Sequence, residues 1–449
     1  MGKYFGTDGI RGVVNESLDA LLAYKVGCAA ATVLLELKDQ KPLILIGKDT
    51  RISSDMLEAA LVAGICSGGA DVLPLGVLPT PAVAYLTLKM NAGMGIVISA
   101  SHNPFEHNGI KIFDHNGFKL SDALEERIER MIDRELPCGK MTHGKLGRVR
   151  DDDGRGTDLY IDYLAAAAEG SFNGLRVVVD CANGASAKTA GRLFSKFDID
   201  FELLHDHPNG TNINDNCGST HIDHLRSIVK AGGFDLGFAF DGDADRCLCV
   251  DENGEAVDGD KMMAVMGRAM QQSGALKNSA IVATVMSNLG FHEFAQENGI
   301  RLLCAAVGDR NVMEMMIEYG CNLGGENSGH IIFLDDATTG DGQLAAVKFM
   351  NVVAASGKKV SELTAAVPSY PQVLLGCPVA GGNTAKDAIM SSSTLRTAIE
   401  NEEKKLEGSG RILVRPSGTE ALIRVMVEAK TEKIALEVAS KLINMIKSL

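Results

Sequence analysis

The chain has 449 residues, more than one hydrophobic core organises, so several domains are expected. With 45% hydrophobic and 23% charged residues it has the composition of a soluble globular protein, and its net charge of −14 argues against non-specific nucleic-acid binding and against anionic membrane surfaces. An anionic small substrate stays compatible with that charge if a cleft is locally basic. Ten cysteines are scattered without a CxxC pair, several in apolar runs such as "RCLCV", which is the pattern of reduced, buried thiols in a cytosolic protein. No charged-then-apolar leader opens the sequence and no uninterrupted apolar stretch approaches membrane-spanning length, so a cytoplasmic protein is expected.

Taken in order, the predicted elements repeat one plan. "PLILIGKDTR" (42–51) is a strand ending in a polar loop, followed by helical "SSDMLEAALVAGICSGG". "LRVVVDCANGASA" (175–187) does the same and leads into "KTAGRLFSKF"; "SAIVATVMSNLG" (279–290) does it again, leading into "FHEFAQENG". Each unit later offers a further strand with an unusual loop: "GIVISASHNP", "LGFAFDGDADR" and "CNLGGENSGH". Alternation of this kind predicts parallel sheets with binding loops at the carboxyl ends of the strands. Three α/β domains are expected over 1–155, 156–253 and 254–367, with "VPSYPQ" as a linker. A smaller α+β domain is expected over 368–449, where "RILVRPSGTEALIRVMVEA" is flanked by helical stretches.

Four loops could carry chemistry. In "SASHNP", Ser99, Ser101, His102 and Asn103 follow the buried run Ile96–Ile98, and Pro104 ends it. The serines could satisfy a local turn, act in a Ser-His-Asp hydrolase (although no GxSxG elbow is present), or provide a phosphorylated serine facing a metal. In "DGDADR", Asp241, Asp243 and Asp245 crowd one turn, a repulsion that a hard divalent cation relieves. An EF-hand is excluded, since Arg246 stands where glycine is needed and strands flank the turn. A Mg²⁺ site completed by a phosphate oxygen fits better. "RPSGTE" offers Arg415, Ser417, Gly418 and Thr419, with Arg424 shortly after, either as a phosphate site or as an ordinary turn. "GGENSGH" places Glu326, Ser328 and His330 at alternate positions, suited to sugar hydroxyls and proton transfer or to a structural turn. "FGTDGIRG" and "GKDTR" add Arg11, Lys48 and Arg51 as anion contacts or surface turns. A histidine cluster with Cys217 (His205, His207, His221, His224) matches no compact zinc spacing and reads as loop architecture.

Taken together these motifs closely resemble the bacterial phosphoglucosamine mutases of the α-D-phosphohexomutase superfamily. The resemblance runs end to end, through "FGTDGIRG", "GKDTRISS", "ISASHNP", "NGIKIF", "CGSTH", "DGDADR", "VGDR", "GGENSGH" and "RPSGTE". It implies four domains around a central cleft and an isomerase that interconverts glucosamine 6-phosphate and glucosamine 1-phosphate through glucosamine 1,6-bisphosphate. The product would feed UDP-N-acetylglucosamine and cell-wall synthesis. By resemblance Ser101 is the nucleophile, carried as phosphoserine. Mg²⁺ is held by Asp241, Asp243, Asp245 and Ser101, with Arg246 beside them. Lys111, His330 and Arg11 serve catalysis. Gly308, Glu326 and Ser328 meet the sugar, and Arg415, Ser417, Gly418, Thr419 and Arg424 clamp the phosphate. The implied partner is a hexosamine phosphate, with no nucleic acid or membrane, and the implied assembly is a monomer or homodimer. His107, Asn311 and Ala421 depart from the usual pattern without touching a proposed catalytic group. Alternatives are a phosphomannomutase or phosphoglucomutase of the same mechanism, a Mg²⁺-dependent sugar phosphatase, and a non-catalytic sugar-phosphate binding protein.

Overall fold

The computed structural model describes residues 2–6, 8–37, 41–134, 141–380, 382–417 and 421–449. Its strands form four sheets. The first contains β1 (Ile10–Val13), β2 (Leu43–Lys48), β3 (Asp71–Val77), β4 (Met94–Ile98) and β5 (His107–Phe113) in the order β1-β5-β4-β2-β3. The second contains β6 (Arg176–Asp180), β7 (Asp200–Leu204), β8 (Leu236–Phe240), β9 (Cys247–Asp251) and β10 (Ala256–Val257) in the order β10-β9-β8-β6-β7. The third contains β11 (Ala280–Thr284), β12 (Arg301–Ala305), β13 (Leu323–Gly325) and β14 (Ile331–Phe333) in the order β12-β11-β13-β14.

The three share one plan. A parallel trio (β3-β2-β4, β7-β6-β8, β12-β11-β13) is followed by an antiparallel return strand (β5, β9, β14). In each, the loop between the third parallel strand and its return partner holds one of the motifs "SASHNP", "DGDADR" and "ENSGH". The repeat read from the sequence is therefore a repeat of topology. The reason is visible in β4 and β8: both are five-residue runs buried along their whole length, which a strand covered on both faces requires.

The helix Ala20–Leu37 is long and apolar enough by length and composition to cross a membrane, with a mean hydropathy of 1.6. This departs from the expectation that no stretch approached that length. Half of its most apolar window is buried, and it packs along the helix Ile52–Gly68. The approach is so close that a Cβ on Gly64 would fall 2.1 Å from the Tyr24 carbonyl. Small residues at the crossing explain both the burial and the hydropathy.

Residues 2–286 with 300–365 form one compact unit; 287–299 with 366–449 form another. In the latter, β15 (Gln372–Pro378), β16 (Arg411–Pro416) and β17 (Leu422–Glu428) make an antiparallel sheet in the order β15-β17-β16, backed by the helix Glu432–Ser448. The helix Leu289–Glu297 packs with this sheet. The fully buried Glu428 accepts from the Leu289 backbone N–H at 3.0 Å, from Arg411 Nε at 2.6 Å and from Gln372 Nε2 at 2.8 Å. The nine described cysteines are free thiols, and seven of them are buried.

Candidate active site

Ser101 sits at the carboxyl end of β4 with φ +52°, a left-handed backbone that costs a non-glycine residue about 1 kcal/mol or more and needs support from its surroundings. That support is specific. Arg51 Nη2 donates to the Ser101 carbonyl at 2.9 Å and to Asn103 O at 2.8 Å, and Arg51 Nη1 donates to Pro104 O at 2.6 Å. Asn214 Nδ2, from the second domain, donates to the same Ser101 carbonyl at 2.9 Å. Arg51 is itself held by Asp49 at 2.9 Å, and neither side chain has any exposed surface. Ser99 completes the turn: its hydroxyl donates to Asp49 at 2.6 Å and accepts from the Ser101 N–H at 2.9 Å. Of the two serines, then, Ser99 builds the turn and Ser101 is aimed outward from it. "GKDTR" is neither an anion contact nor a surface turn. Arg51 is a buried brace, and Lys48 pairs with Asp55 and Glu58.

The Ser101 hydroxyl donates to Asp241 Oδ2 at 2.5 Å. Asp241, Asp243 and Asp245 lie in the β8–β9 turn, all buried, each offering an oxygen within 4.8 Å of the others. Burial and the charges of Asp245 and Asp243 push the Asp241 carboxyl well above its usual range. Asp243 Oδ1 and Asp245 Oδ1 are buried without a hydrogen-bond partner among the described residues. Three hard oxygen donors that repel one another, two of them with orphaned atoms, fit a small divalent cation such as Mg²⁺. On the far side, the buried Lys111 donates to Asp243 at 2.8 Å and lies 3.3 Å from both Asp245 and Asp8. Burial disfavours its charge, but Asp243, Asp8 and Asp245 hold its pKa well above normal, so it is an ammonium. Thr80, unremarked in the sequence, donates to Asp243 at 2.6 Å. His102 lies 3.4 Å from the Ser101 hydroxyl, and burial with Arg246 and Arg11 lowers its pKa to about 4.

The third loop reaches the same place. Cys247, opening β9, donates its N–H to the Gly329 carbonyl at 3.0 Å, and Gly329 (φ +92°) lies so close to that strand that a Cβ would fall 2.4 Å from Cys247 O. Glu326 accepts from the Gly308 N–H at 3.0 Å and from the Ser328 hydroxyl at 3.3 Å. His330 is buried, with Nε2 accepting from the Gly340 N–H at 3.3 Å and standing 3.8 Å from Asp309. Arg11 pairs with Asp8 and points Nη1 at the Ala100 carbonyl, 3.4 Å away. Arg246 leaves Nε buried without a hydrogen-bond partner among the described residues, 3.9 Å from Asp245. Unit one thus gathers Ser101, the aspartates, Lys111, Arg11, Arg246, Gly308, Glu326, Ser328 and His330.

In the C-terminal unit Arg415 and Arg424 are directly opposite one another on β16 and β17. Like charges so placed repel, and burial with the neighbouring Arg424 lowers the Arg415 pKa. Arg415 Nε is buried without a hydrogen-bond partner among the described residues. Such a pair suits a dianion. The buried Lys386, which the sequence reading missed, donates to the Ser417 carbonyl at 2.8 Å and anchors the loop. Gly418 and Thr419 lie outside the described residues.

The cysteine–histidine loop holds a convergence that its spacing concealed. His205 and Cys217 meet Asp180, whose oxygens accept from the Ala182 and Gly218 N–H groups at 2.9 Å each. His205 Nδ1 stands 3.0 Å from Asp180, and burial with Asp180 and Asp215 pushes the Cys217 thiol up to about 12. The carboxylate thus ties the loop's backbone to the end of β6.

The chain matches the family description "Phosphoglucomutase/phosphomannomutase" through alpha/beta/alpha domain I over residues 2–137, domain II over 158–254, domain III over 258–370 and the C-terminal domain over 351–445. It is 50% identical to the phosphoglucosamine mutase of Pelotomaculum thermopropionicum over 452 residues, covering 100% of both chains. It is 48% identical to that of Bacillus subtilis over 449 residues, covering 100% of this chain and 99% of the relative. A phosphoglucomutase/phosphomannomutase family protein of Burkholderia thailandensis superposes with a TM-score of 0.80 at 22% identity, covering 100% and 98%. Aspergillus fumigatus N-acetylphosphoglucosamine mutase, solved with GlcNAc-6P and magnesium, superposes with a TM-score of 0.66 at 18% identity, covering 95% and 96%. The chain belongs to the phosphoglucomutase/phosphomannomutase family and, within it, to the family of the phosphoglucosamine mutases.

Proposed function

We propose that the protein is a cytoplasmic isomerase that interconverts glucosamine 6-phosphate and glucosamine 1-phosphate, with Ser101 carried as a phosphoserine. The observation that carries this reading is the 2.5 Å approach of the Ser101 hydroxyl to a buried carboxylate trio with orphaned oxygens. In the forward direction the sugar's C1 hydroxyl oxygen attacks the phosphoserine phosphorus. A P–O bond forms, the P–Oγ bond breaks, and the hydroxyl proton is passed to Ser101 Oγ by way of the site's acid–base groups. The product of this half-reaction is glucosamine 1,6-bisphosphate. After the sugar turns round, Ser101 Oγ attacks the phosphorus on O6, the P–O6 bond breaks, the serine proton passes to O6, and glucosamine 1-phosphate remains.

Asp241, Asp243, Asp245 and the Ser101 phosphate would hold Mg²⁺, which when bound withdraws negative charge from the transferring group. Lys111 supplies a fixed positive charge behind the aspartates, and Arg11 and Arg246 face the same anion. Glu326 and Ser328 orient sugar hydroxyls beside Gly308, and His330 moves protons there. Arg415, Ser417, Gly418, Thr419 and Arg424 grip the phosphate that is not being transferred. We keep the four-domain division at 155/156, 253/254 and 367/368, each domain contributing one loop. The chain's reduced, mostly buried thiols support the cytoplasmic assignment.

Since each half-reaction needs the distal phosphate held, Arg415→Ala should slow forward and reverse turnover alike, by roughly 100-fold, while intact mass still shows phosphate on Ser101. The substrate is tested by steady-state kinetics on glucosamine, glucose and mannose 6-phosphates side by side. Glucosamine 6-phosphate should give the highest kcat/KM. Equal turnover of mannose 6-phosphate would reassign the substrate, and release of inorganic phosphate would make the protein a phosphatase.

A further inference from the structure

Lys119 has no part in the chemistry above, yet it occupies the middle of a partly buried chain of alternating charges in the first unit. Its Nζ lies 2.5 Å from Asp8 Oδ1 and 2.5 Å from Asp309 Oδ2. Asp8 in turn contacts Arg11 and stands 3.3 Å from Lys111, which reaches Asp243 at 2.8 Å. Asp309 stands 3.8 Å from His330 Nε2. Charges therefore alternate from Asp243 through Lys111, Asp8 and Lys119 to Asp309, and His330 lies beside the last of them. The chain crosses from the second domain, through the first, to the third. We propose that Lys119 is a positioning residue for phosphoryl transfer: by bridging Asp8 and Asp309 it fixes Lys111 on one side and His330 on the other relative to the reacting sugar. The inference rests on the roles given to Lys111 and His330 above.

The alternation leaves little slack. Burial drives both carboxyls toward their neutral forms, and it is chiefly the lysines for Asp8, and Lys119 for Asp309, that hold them as anions. Without the ammonium the two carboxylates repel each other across the joint, and the groups they orient lose their anchor. The joint itself has a second fastening. Arg310, next to Asp309, binds the Leu120 carbonyl and Asp122 and lies 3.2 Å from Glu125. A cavity of about 510 Å³ opens beside Lys119, with Leu120, Leu124 and Met313 in its wall. A methionine of similar length therefore has room and apolar neighbours, so the fold should tolerate the loss of charge.

The test uses the full-length enzyme with Lys119→Met and Lys119→Arg, measuring kcat, KM, thermal midpoint and the mass of phosphorylated Ser101. Lys119→Met should lower kcat by roughly 30-fold or more with KM within about threefold, because sub-ångström misplacement acts on the transition state rather than on binding. Ser101 should still accept phosphate. Lys119→Arg should recover to within about fivefold of the parent, since a guanidinium can bridge the same two carboxylates. A Lys119→Met enzyme with parental kcat overturns the inference, and so does an arginine variant as slow as the methionine one. If the methionine variant does not fold, Lys119→Gln is read in its place by the same criteria. Ser101→Ala separates the two levels. If it turns over, the reading of the reaction fails. If it is inactive while Lys119→Met is normal, only the role of Lys119 fails.

Discussion

Ser101→Ala is expected to lose mutase activity by a factor on the order of 10⁴ or more while the protein remains folded. The hydroxyl is the atom that is phosphorylated, so no neighbour can substitute for it: Ser99 is turned away and committed to Asp49 at 2.6 Å and to the Ser101 N–H at 2.9 Å. Folding should survive because the loop is braced through backbone carbonyls by Arg51 and Asn214, contacts that an alanine keeps. Ser101→Gly makes a sharper control. At φ +52° glycine is unstrained, so this variant should be at least as stable as Ser101→Ala and equally inactive. Intact mass should show phosphate on part of the parent protein and none on either variant. Parental turnover in Ser101→Ala would remove the nucleophile from the account.

The second large effect belongs to the aspartates, where activity and stability should move apart. Asp241→Asn should reduce kcat by at least a hundredfold, about 3 kcal/mol, because one of the three charges that hold the cation is gone. In chelator, however, the variant should melt no lower than the parent. In the metal-free protein Asp241 is a buried carboxyl pushed well above its normal range by burial and by Asp245 and Asp243, and an amide relieves that repulsion. Since this carboxyl must give up its proton to bind a cation, Mg²⁺ affinity should also fall as the pH is lowered through its raised pKa. Titration calorimetry with Mg²⁺ and melting curves with and without chelator check both halves. A triple asparagine variant fully active in chelator would dismiss the metal site.

The sheets and the reactive loops were legible because their signals are local. Runs such as "GIVI" and "LGFAF" can only be buried strands, and three aspartates at alternate positions are conspicuous in any setting. The supports were not legible, because they are assembled from distant segments. Asp49 and Arg51 sit in a motif that reads as surface, yet both side chains are wholly buried because they brace a loop 50 residues away. The bridge from Asp8 through Lys119 to Asp309 spans three stretches with no common pattern. Elsewhere the local reading was too generous. "KTAGRLFSKF" supports only a five-residue helix, Ala190–Phe194, after a 3₁₀ turn, Ala185–Lys188, that ends on its first residue. The helix Leu289–Glu297 follows a third-domain strand in sequence but packs with the C-terminal sheet, because Glu428 receives its first N–H. Tertiary hydrogen bonds made that choice, and no periodicity records them.

Where the phosphoryl group is held, and where it goes, separates a phosphoserine mutase from the alternatives. Purified phosphoenzyme, incubated with one equivalent of glucosamine 6-phosphate in Mg²⁺ and quenched, should lose its phosphate from the peptide that contains Ser101 while glucosamine 1,6-bisphosphate appears in matching amount. Phosphate that maps to Ser99, stays on the protein, or leaves as inorganic phosphate would contradict it.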